Sequence, residues 1–205
     1  MRRALASVLT AGALALGLFA LPAAASAATA VFAGGCFWSV EKMFDGVPGV
    51  TGTVSGFSGG RTANPTYYEV VRGDTGHSEA VQVTYDPSRV SYEDLLNAYW
   101  QSIDPTDPAG QFCDKGDHYR AVVFVSSPSE RQAAEASKAR VAEILGAPVT
   151  TQIRDAAPFT AAGPEHQNFH LTNPAHYERY RIGCRRDETL ARVWGGRTLA
   201  DANPS

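Results

Sequence analysis

Cysteine is scarce in this 205-residue chain, which contains three: Cys36, Cys113 and Cys184. No two of them have the spacing of a Cys-x-x-Cys motif, which argues against a structural zinc site and against a thioredoxin-type redox motif. Three cysteines are also too few for a disulfide-dense scaffold. Because the number is odd, we expect a free or exchanging thiol, and chemistry rather than architecture as the role of these cysteines.

Positive charge is not in excess either, with 18 Lys and Arg against 21 Asp and Glu. This mildly acidic balance carries no electrostatic footprint for nucleic acid. No basic amphipathic helix is present that would bind a membrane surface, and no internal repeat or low-complexity segment follows residue 30. We therefore predict no nucleic-acid or membrane partner, and we expect a monomer because nothing in the sequence suggests an obligate dimer.

The N-terminus has the pattern of a secretory signal peptide. Met1-Arg2-Arg3 is basic, residues 11–21 are apolar but too short a run to span a bilayer comfortably, and Ala25-Ser26-Ala27 is an A-x-A cleavage site. Cleavage after Ala27 leaves residues 28–205, with 16 basic and 21 acidic residues, as one domain. We expect an exported protein, either periplasmic or secreted.

Two glycines and a cysteine separate a predicted strand, ending at Ala33, from a predicted helix over residues 37–44. Gly34-Gly35 favours a tight turn, which places Cys36 at the first turn of the helix. Free N–H groups and the helix dipole meet there, and both favour the thiolate, the nucleophilic form of cysteine. A lone cysteine is more often structural and buried, but this strand-turn-helix setting with two adjoining aromatic residues favours a reactive thiol.

The rest of the chain predicts further strands and helices in the order strand, helix, strand, strand, helix, strand, followed by extra elements. The predicted strands are 50–57, 77–85, 119–126 and 149–154; the helices are 66–71, 91–103 and 128–145; and a long loop covers 104–118. This order is typical of a two-layer, ferredoxin-like (split βαβ) α+β sandwich with helices on one face. From residue 158 onward the sequence predicts loop and short helix, and extra helices and a C-terminal tail complete the prediction.

Glu79 is the unusual residue of the 77–85 strand. Alternation places it on the same, more apolar face as Val81, Val83 and Tyr85. The carboxyl group either reaches solvent near the start of the strand or is desolvated, which would raise its pKa and keep it protonated. The strand alone leaves both interpretations open.

Several motifs together resemble those of the A-type peptide methionine sulfoxide reductases. The first is Gly35-Cys36-Phe37-Trp38, which looks like the family signature. The others, in the family's order, are Gly59-Gly60, Asn64-Pro65-Thr66-Tyr67, the run from Gly73 to Val81, Tyr85-Asp86-Pro87, His166-Gln167 and Asn173-Pro174. The resemblance covers nearly all of residues 30–184 and implies the family's elaborated ferredoxin-like fold.

The resemblance implies a role for each matching residue. Cys36 would be the nucleophile, and Glu79 the acid that protonates the sulfoxide oxygen. Gly35, Phe37 and Trp38 would bind the substrate, whose methyl group lies between the rings. Tyr67 and Tyr119 would hydrogen-bond the sulfoxide oxygen, and Asp114 would be the site's loop carboxylate.

The implied reaction reduces methionine S-sulfoxide, free or in proteins, and leaves a sulfenic acid on Cys36. A second thiol must capture it as a disulfide, which an external, thioredoxin-like dithiol reduces; no metal or other cofactor is expected. We expect Cys184 to resolve the sulfenic acid because it lies in a tail beside Gly183, with Cys113 as the alternative. The chain departs from the common family pattern at Cys113, at His118 and at Ala121.

Two other functions remain open from the sequence. A cysteine hydrolase would use Cys36 with His77 or His170 as its base, although neither histidine stands out. A binding module would capture oxidised proteins through Phe37 and Trp38 without turnover. His166 and His170 lack the carboxylate of a His-Glu-x-x-His zinc motif, and we interpret them as structural.

Overall fold

The computed structural model describes residues 26–199, so residues 1–25 of the predicted signal peptide lie outside it. The strands are β1 (Ala28–Ala33), β2 (Val50–Ser58), β3 (Ser78–Tyr85), β4 (Gly110–Gln111), β5 (Asp114–Lys115), β6 (Val122–Val125), β7 (Gln152–Asp155) and β8 (Phe159–Ala161). The helices are α1 (Phe37–Asp45), α2 (Tyr67–Val71), α3 (Tyr92–Gln101), α4 (Pro128–Leu145), α5 (Phe169–Thr172), α6 (Pro174–Gly183) and α7 (Arg186–Trp194). None of these helices is long and apolar enough to cross a membrane.

Six strands form one sheet in the order β7-β6-β1-β3-β2-β8. Neighbouring strands are antiparallel, except that β6 and β7 run parallel. Phe32 on β1 pairs with Val81 on β3 and with Val123 on β6, so the cysteine-bearing turn after β1 leaves from the centre of the sheet. The predicted α+β class is confirmed.

The main core lies between one face of this sheet and helices α1, α3 and α4. Val81, Val83 and Tyr85 enter this core, whereas Ala80 packs on the opposite face in a smaller cluster with Phe124. The alternation predicted for β3 is therefore confirmed, and it directs the second residue of the strand, Glu79, toward the helical layer.

Four local predictions were wrong. Tyr119 does not begin a strand: its N–H donates to the Gly116 carbonyl in a 3-10 turn, Asp117–Tyr119, and β6 starts only at Val122. The predicted loop contains the β4–β5 hairpin, whose left-handed residue Phe112 (φ 53°) gives no pattern in the sequence.

The predicted strand 149–154 and the predicted loop after residue 158 also change. Thr150 donates its N–H to the Pro105 carbonyl in a neighbouring loop, and pairing with β6 starts at residue 152. Residues 159–161 pair with β2 as the edge strand β8 rather than forming a loop. In both places the backbone partner comes from a distant segment, which periodicity cannot reveal.

Candidate active site

Cys36 lies where β1 gives way to α1, at the position that caps the helix. Its carbonyl accepts the N–H of Ser39 at 3.1 Å, and only 7% of the residue is exposed. Gly35 before it has φ +84°, and a Cβ there would lie 2.6 Å from Cβ of Gln111. A glycine is therefore required at this turn, because the backbone passes directly against the β4–β5 hairpin.

Glu79 is buried beside this turn, with 1% of the residue exposed. Its Oε2 accepts the backbone N–H of Phe37 at 3.0 Å. Burial raises the pKa of this carboxyl to about 8, and the charge of Asp114 adds to the rise, although the Phe37 N–H opposes it. The solvent-exposed interpretation of Glu79 is therefore wrong, and the group is a neutral acid at pH 7.

Asp114 holds the other side of the turn. Its Oδ2 accepts the Tyr180 hydroxyl at 2.5 Å, and the backbone N–H of Cys36 also favours its charged form. Burial raises the pKa of Asp114, while Tyr180, Arg186 and the Cys36 N–H act in the opposite direction. The structure thus brings a second carboxyl group to the cysteine, from a hairpin far away in the sequence.

Tyr67 and Tyr119 lie within the electrostatic influence of the carboxyl groups and the thiol of this site. Burial, together with the charges of Glu79, Cys36 and Asp114, raises the pKa of Tyr67 to about 12. The pKa of Tyr119 is raised by burial and by the same three groups. Both hydroxyls therefore keep their protons and can donate hydrogen bonds to an acceptor in this site.

The electrostatics at Cys36 differ from the sequence-based expectation. Burial raises the pKa of the Cys36 thiol, and the charges of Glu79 and Asp114 raise it further; the Trp38 N–H and the Tyr180 hydroxyl act in the opposite direction. The prediction that the helix terminus favours a thiolate is therefore wrong for the substrate-free site. Desolvation and two nearby carboxyl groups outweigh the N–H groups of one helical turn.

An aromatic wall stands beside the thiol. The Trp38 ring stacks on Phe169 with centroids 3.7 Å apart and planes 8° apart, and Tyr180 meets Trp38 edge-on at 5.9 Å. The His166 ring lies 4.3 Å from that of Tyr67 and 5.3 Å from that of Phe37. Such a wall suits an apolar group such as the methyl of a methionine side chain.

Sequence reasoning missed His166, Phe169 and Tyr180 as parts of the site, although His166 was noted as structural. The Gln167 side chain holds their segment by bonding both the N–H and the carbonyl of Ser55, at 2.9 Å each. The Glu-His-Gln run and the tyrosines of the tail were visible signals, but nothing local said which of them faces the cysteine.

The two remaining cysteines are joined to each other. Cys113 and Cys184 form a disulfide with Cα atoms 4.9 Å apart, and Cys36 is free. Cys113 is exposed, and its neighbour Asp114 contacts the Cys36 backbone, so the disulfide lies at the edge of the site. The ligand atoms of Cys113, Asp114 and Cys184 lie within 4.8 Å of one another, but sulfurs in a disulfide are not thiolate ligands.

Neither histidine proposed for a hydrolase is available as a base. The His77 ring accepts the Gly60 N–H at 3.1 Å through Nδ1 and contacts the Thr62 carbonyl at 2.8 Å through Nε2. His170 pairs with Asp45 at 3.4 Å. Because both rings are engaged elsewhere, the site does not favour acyl transfer.

Comparison with known proteins agrees with this geometry. A family model described as peptide methionine sulfoxide reductase matches residues 28–198. The peptide methionine sulfoxide reductase MsrA of Bacillus subtilis is 50% identical over 170 residues, which cover 82% of this chain and 96% of the relative.

Solved structures of similar proteins give the same result. Methionine sulfoxide reductase A of Corynebacterium diphtheriae is similar with a TM-score of 0.65 at 33% identity, covering 72% of this chain and 76% of that one. Reduced Mxr1 from Saccharomyces cerevisiae gives a TM-score of 0.68 at 26% identity, with 72% and 86% covered. Mxr1 in complex with Trx2 gives a TM-score of 0.50 at 18% identity, with 74% and 91% covered, a likeness of fold alone.

Proposed function

We propose a mechanism for a chain that belongs to the peptide methionine sulfoxide reductase family and reduces methionine sulfoxide in the repair of oxidised proteins. In this mechanism Cys36 attacks the sulfoxide sulfur while Glu79 protonates the sulfoxide oxygen. The observation that carries this proposal is the buried Glu79, a neutral acid with a pKa of about 8 that contacts the residue directly after the cysteine. A sulfoxide sulfur becomes electrophilic when its oxygen is protonated, and a carboxyl group that is neutral at pH 7 can supply that proton.

The substrate occupies the space bounded by the aromatic wall. The rings of Phe37 and Trp38 hold the methyl group, and the hydroxyls of Tyr67 and Tyr119 donate to the sulfoxide oxygen. These rings also exclude water, which strengthens each hydrogen bond to the developing charge. The family resemblance supports the S epimer as the substrate.

The reaction is a two-electron reduction of the sulfoxide by the Cys36 thiol. The Cys36 thiolate forms a bond to the sulfoxide sulfur, and the oxygen takes the Glu79 proton. The resulting hydroxyl group moves to the Cys36 sulfur as the new sulfur–sulfur bond breaks, which releases methionine and leaves a sulfenic acid on Cys36; the proton that the thiol lost restores Glu79. The thiol and the sulfoxide together thus give a thioether and a sulfenic acid, with no other reactant. Asp114 fixes the turn through the Cys36 N–H while this occurs.

The disulfide at the edge of the site supports a second stage. We propose that the Cys184 thiol displaces water from the sulfenic acid to give a Cys36–Cys184 disulfide. Cys113 then attacks Cys184 and releases Cys36 as a thiol. This order uses both candidates predicted from the sequence, and its product is the pair found joined in the structure.

An external dithiol completes the cycle. Cys113 is an exposed residue, accessible to a thioredoxin-like protein whose two thiols become a disulfide as Cys113 and Cys184 are reduced. No other cofactor enters this scheme.

Single-turnover reduction tests the proposal. Fully reduced protein is mixed with each epimer of methionine sulfoxide, and the product, the remaining thiols and the disulfide-linked peptides are measured. We expect conversion of the S epimer, a loss of two thiols and a Cys113–Cys184 peptide; Cys36→Ser should convert neither epimer. No conversion by the wild-type protein would refute the mechanism, and a final Cys36–Cys113 peptide would refute the order of the thiols.

The finer description of the fold is also a proposal. The strands β6-β1-β3-β2 lie in that order, with α1 between β1 and β2 and α3 between β3 and β6. This arrangement supports the split βαβ, ferredoxin-like description, to which β7 and β8 add one strand at each edge.

We further propose that the protein is exported and acts as a monomer in the periplasm or outside the cell. The first strand starts at Ala28, directly after the proposed cleavage site. The N-terminal sequence of the protein recovered from cell fractions tests export, and its elution volume in gel filtration tests the monomer. An intact Met1 on cytoplasmic protein would contradict the proposal.

A further inference from the structure

Arg186 is a buried cation for which the proposed mechanism gives no role. It is the first residue of α7, only 5% of it is exposed, and among residues 26–199 it is the only buried arginine or lysine. Nη2 donates to the Ser102 carbonyl at 2.8 Å, and the guanidinium lies 4.1 Å from the centre of the Phe112 ring. Nη1 is buried without a hydrogen-bond partner in the described part of the chain. A buried charge is costly unless nearby groups compensate it.

The groups that face Arg186 belong to the active site. They are Asp114 on β5, Tyr177 and Tyr180 on α6, and Cys36 before α1. Cys36 is in turn faced by Glu79 on β3, Asp114, Tyr180, Tyr67 and Tyr119. Each of these partner groups is uncharged when protonated and negative when ionised, so Arg186 is the fixed positive charge of the cluster.

Arg186 also links the two segments that carry the disulfide. Its guanidinium covers Phe112, the residue before Cys113, and its own backbone is two residues after Cys184. The bond to the Ser102 carbonyl attaches this arrangement to the end of α3. One side chain therefore touches the hairpin that carries Cys113 while its charge acts on the Cys36 thiol.

We propose that Arg186 is a positioning residue for sulfoxide reduction, whose guanidinium charge offsets the negative charge that forms when Cys36 becomes a thiolate. The inference rests on the proposed function, in which the thiolate is the nucleophile. Such a charge has a physical reason: the Asp114 carboxylate already raises the pKa of the Cys36 thiol, and a second negative charge beside it is unfavourable without a cation. Arg186 acts through Asp114 and Cys36 and does not touch the substrate.

Alkylation of Cys36 tests the inference without turnover. While the Cys113–Cys184 disulfide is intact, Cys36 is the single free cysteine of the chain. Iodoacetamide reacts with its thiolate, so the rate from pH 6 to 10 reports Cys36 alone. We expect Arg186→Met to shift the profile of alkylation rate against pH by about one unit toward higher pH, because loss of a nearby positive charge raises the pKa of a thiol. At pH 8 alkylation should then be about tenfold slower.

Two variants separate charge from packing. Arg186→Lys keeps the charge and should retain most of the wild-type profile. Arg154→Met is the matched control: Arg154 also donates to a backbone carbonyl, that of Gly59 at 2.6 Å, and lies over a phenylalanine ring, Phe124 at 5.6 Å, but on the opposite face of the sheet. It should leave the profile unchanged.

Two outcomes would contradict the proposed role of the Arg186 charge. An unshifted profile in Arg186→Met, or equal shifts in Arg186→Met and Arg186→Lys, would overturn the charge role and leave a structural one. If Arg186→Met does not fold, Arg186→Gln is compared with Arg186→Lys by the same criterion. Because alkylation needs no sulfoxide, failure of the proposed function would show in the single-turnover assay and not here.

Discussion

Replacing Glu79 by glutamine separates the proton of this residue from its structural contact. The amide retains an oxygen that can accept the Phe37 N–H, now bonded at 3.0 Å, but it has no acidic proton. We expect single-turnover reduction of the S-sulfoxide to slow by about 10²–10⁴-fold, the usual contribution of a positioned general acid. The assay follows methionine release by chromatography after rapid mixing with pre-reduced protein.

The pH profile gives a second, independent signature. With a pKa of about 8, Glu79 is about ten times more often protonated than ionised at pH 7. The wild-type rate should therefore fall above pH 8, where the acid is lost. In Glu79→Gln that fall should disappear, and the residual rate should only rise with pH as Cys36 ionises.

The same substitution should stabilise the protein, with a sign fixed by the pKa shift. Glu79 ionises near 4.5 when unfolded and near 8 when folded, so between these pH values the folded chain holds a proton that the unfolded chain has released. This contribution to the free energy of unfolding is full below pH 4.5 and is lost as pH rises to 8. The stability gain of Glu79→Gln should thus grow by about 3–5 kcal/mol between pH 5 and pH 8.

Glu41→Gln is the matched control. Glu41 is a fully buried carboxyl on α1 whose pKa burial raises to about 7, and its oxygens have no well-formed hydrogen bond. Its substitution should also stabilise the fold at pH 8, yet leave the rate and its fall above pH 8 unchanged. The reasoning is refuted if Glu79→Gln keeps wild-type activity, or if it keeps the alkaline fall that we assign to Glu79.

Three further outcomes can be checked. Gly35→Ala should lower the free energy of unfolding by about 2–4 kcal/mol, measured with denaturant, since φ is +84° and the new Cβ would lie 2.6 Å from a side-chain carbon of β4. Gly146→Ala, at φ +61° with open space around it, should lower it by about 1 kcal/mol. Cys113→Ser should reduce one equivalent of sulfoxide normally but lose most of its turnover with a thioredoxin-like reductant; full turnover would contradict the proposed exchange. Tyr180→Phe removes the hydroxyl bonded to Asp114 and should slow Cys36 alkylation at pH 8; a faster reaction would contradict its contact with the thiol.

The part of the site next to the cysteine could be predicted from the sequence because it is local. The turn at Gly34-Gly35 and the spacing of Phe37, Val40 and Phe44 specify a helix whose first turn bears Cys36, and all three apolar residues are buried at 1% or less. Alternation along β3 likewise placed Glu79 on the core side. Local periodicity therefore located the residues that we propose as nucleophile and acid, but it could not decide whether the carboxyl group is buried.

The rest of the site depends on long-range pairing. Asp114 reaches Cys36 only because the β4–β5 hairpin forms within a segment that reads as a loop, and Tyr180 reaches Asp114 only because the tail wraps back. The pairing of Cys113 with Cys184 joins positions 71 residues apart. The direction of the Cys36 pKa shift has the same origin, since burial raises this pKa most and the two carboxyl groups that raise it further come from distant segments.

The buried Cys36 thiol and the Cys113–Cys184 disulfide at the edge of the site meet two opposite physical requirements. Protonating a sulfoxide needs a neutral carboxylic acid, which at pH 7 requires a dry environment, and Glu79 and Cys36 are 1% and 7% exposed. Reduction by another protein needs a sulfur at the surface, which a dry site cannot offer. Because Cys113 and Asp114 are adjacent in sequence, the same short hairpin lies against the buried turn and presents the exposed residue Cys113. In the proposed mechanism, oxidation of the buried thiol can therefore pass to the surface without opening the site.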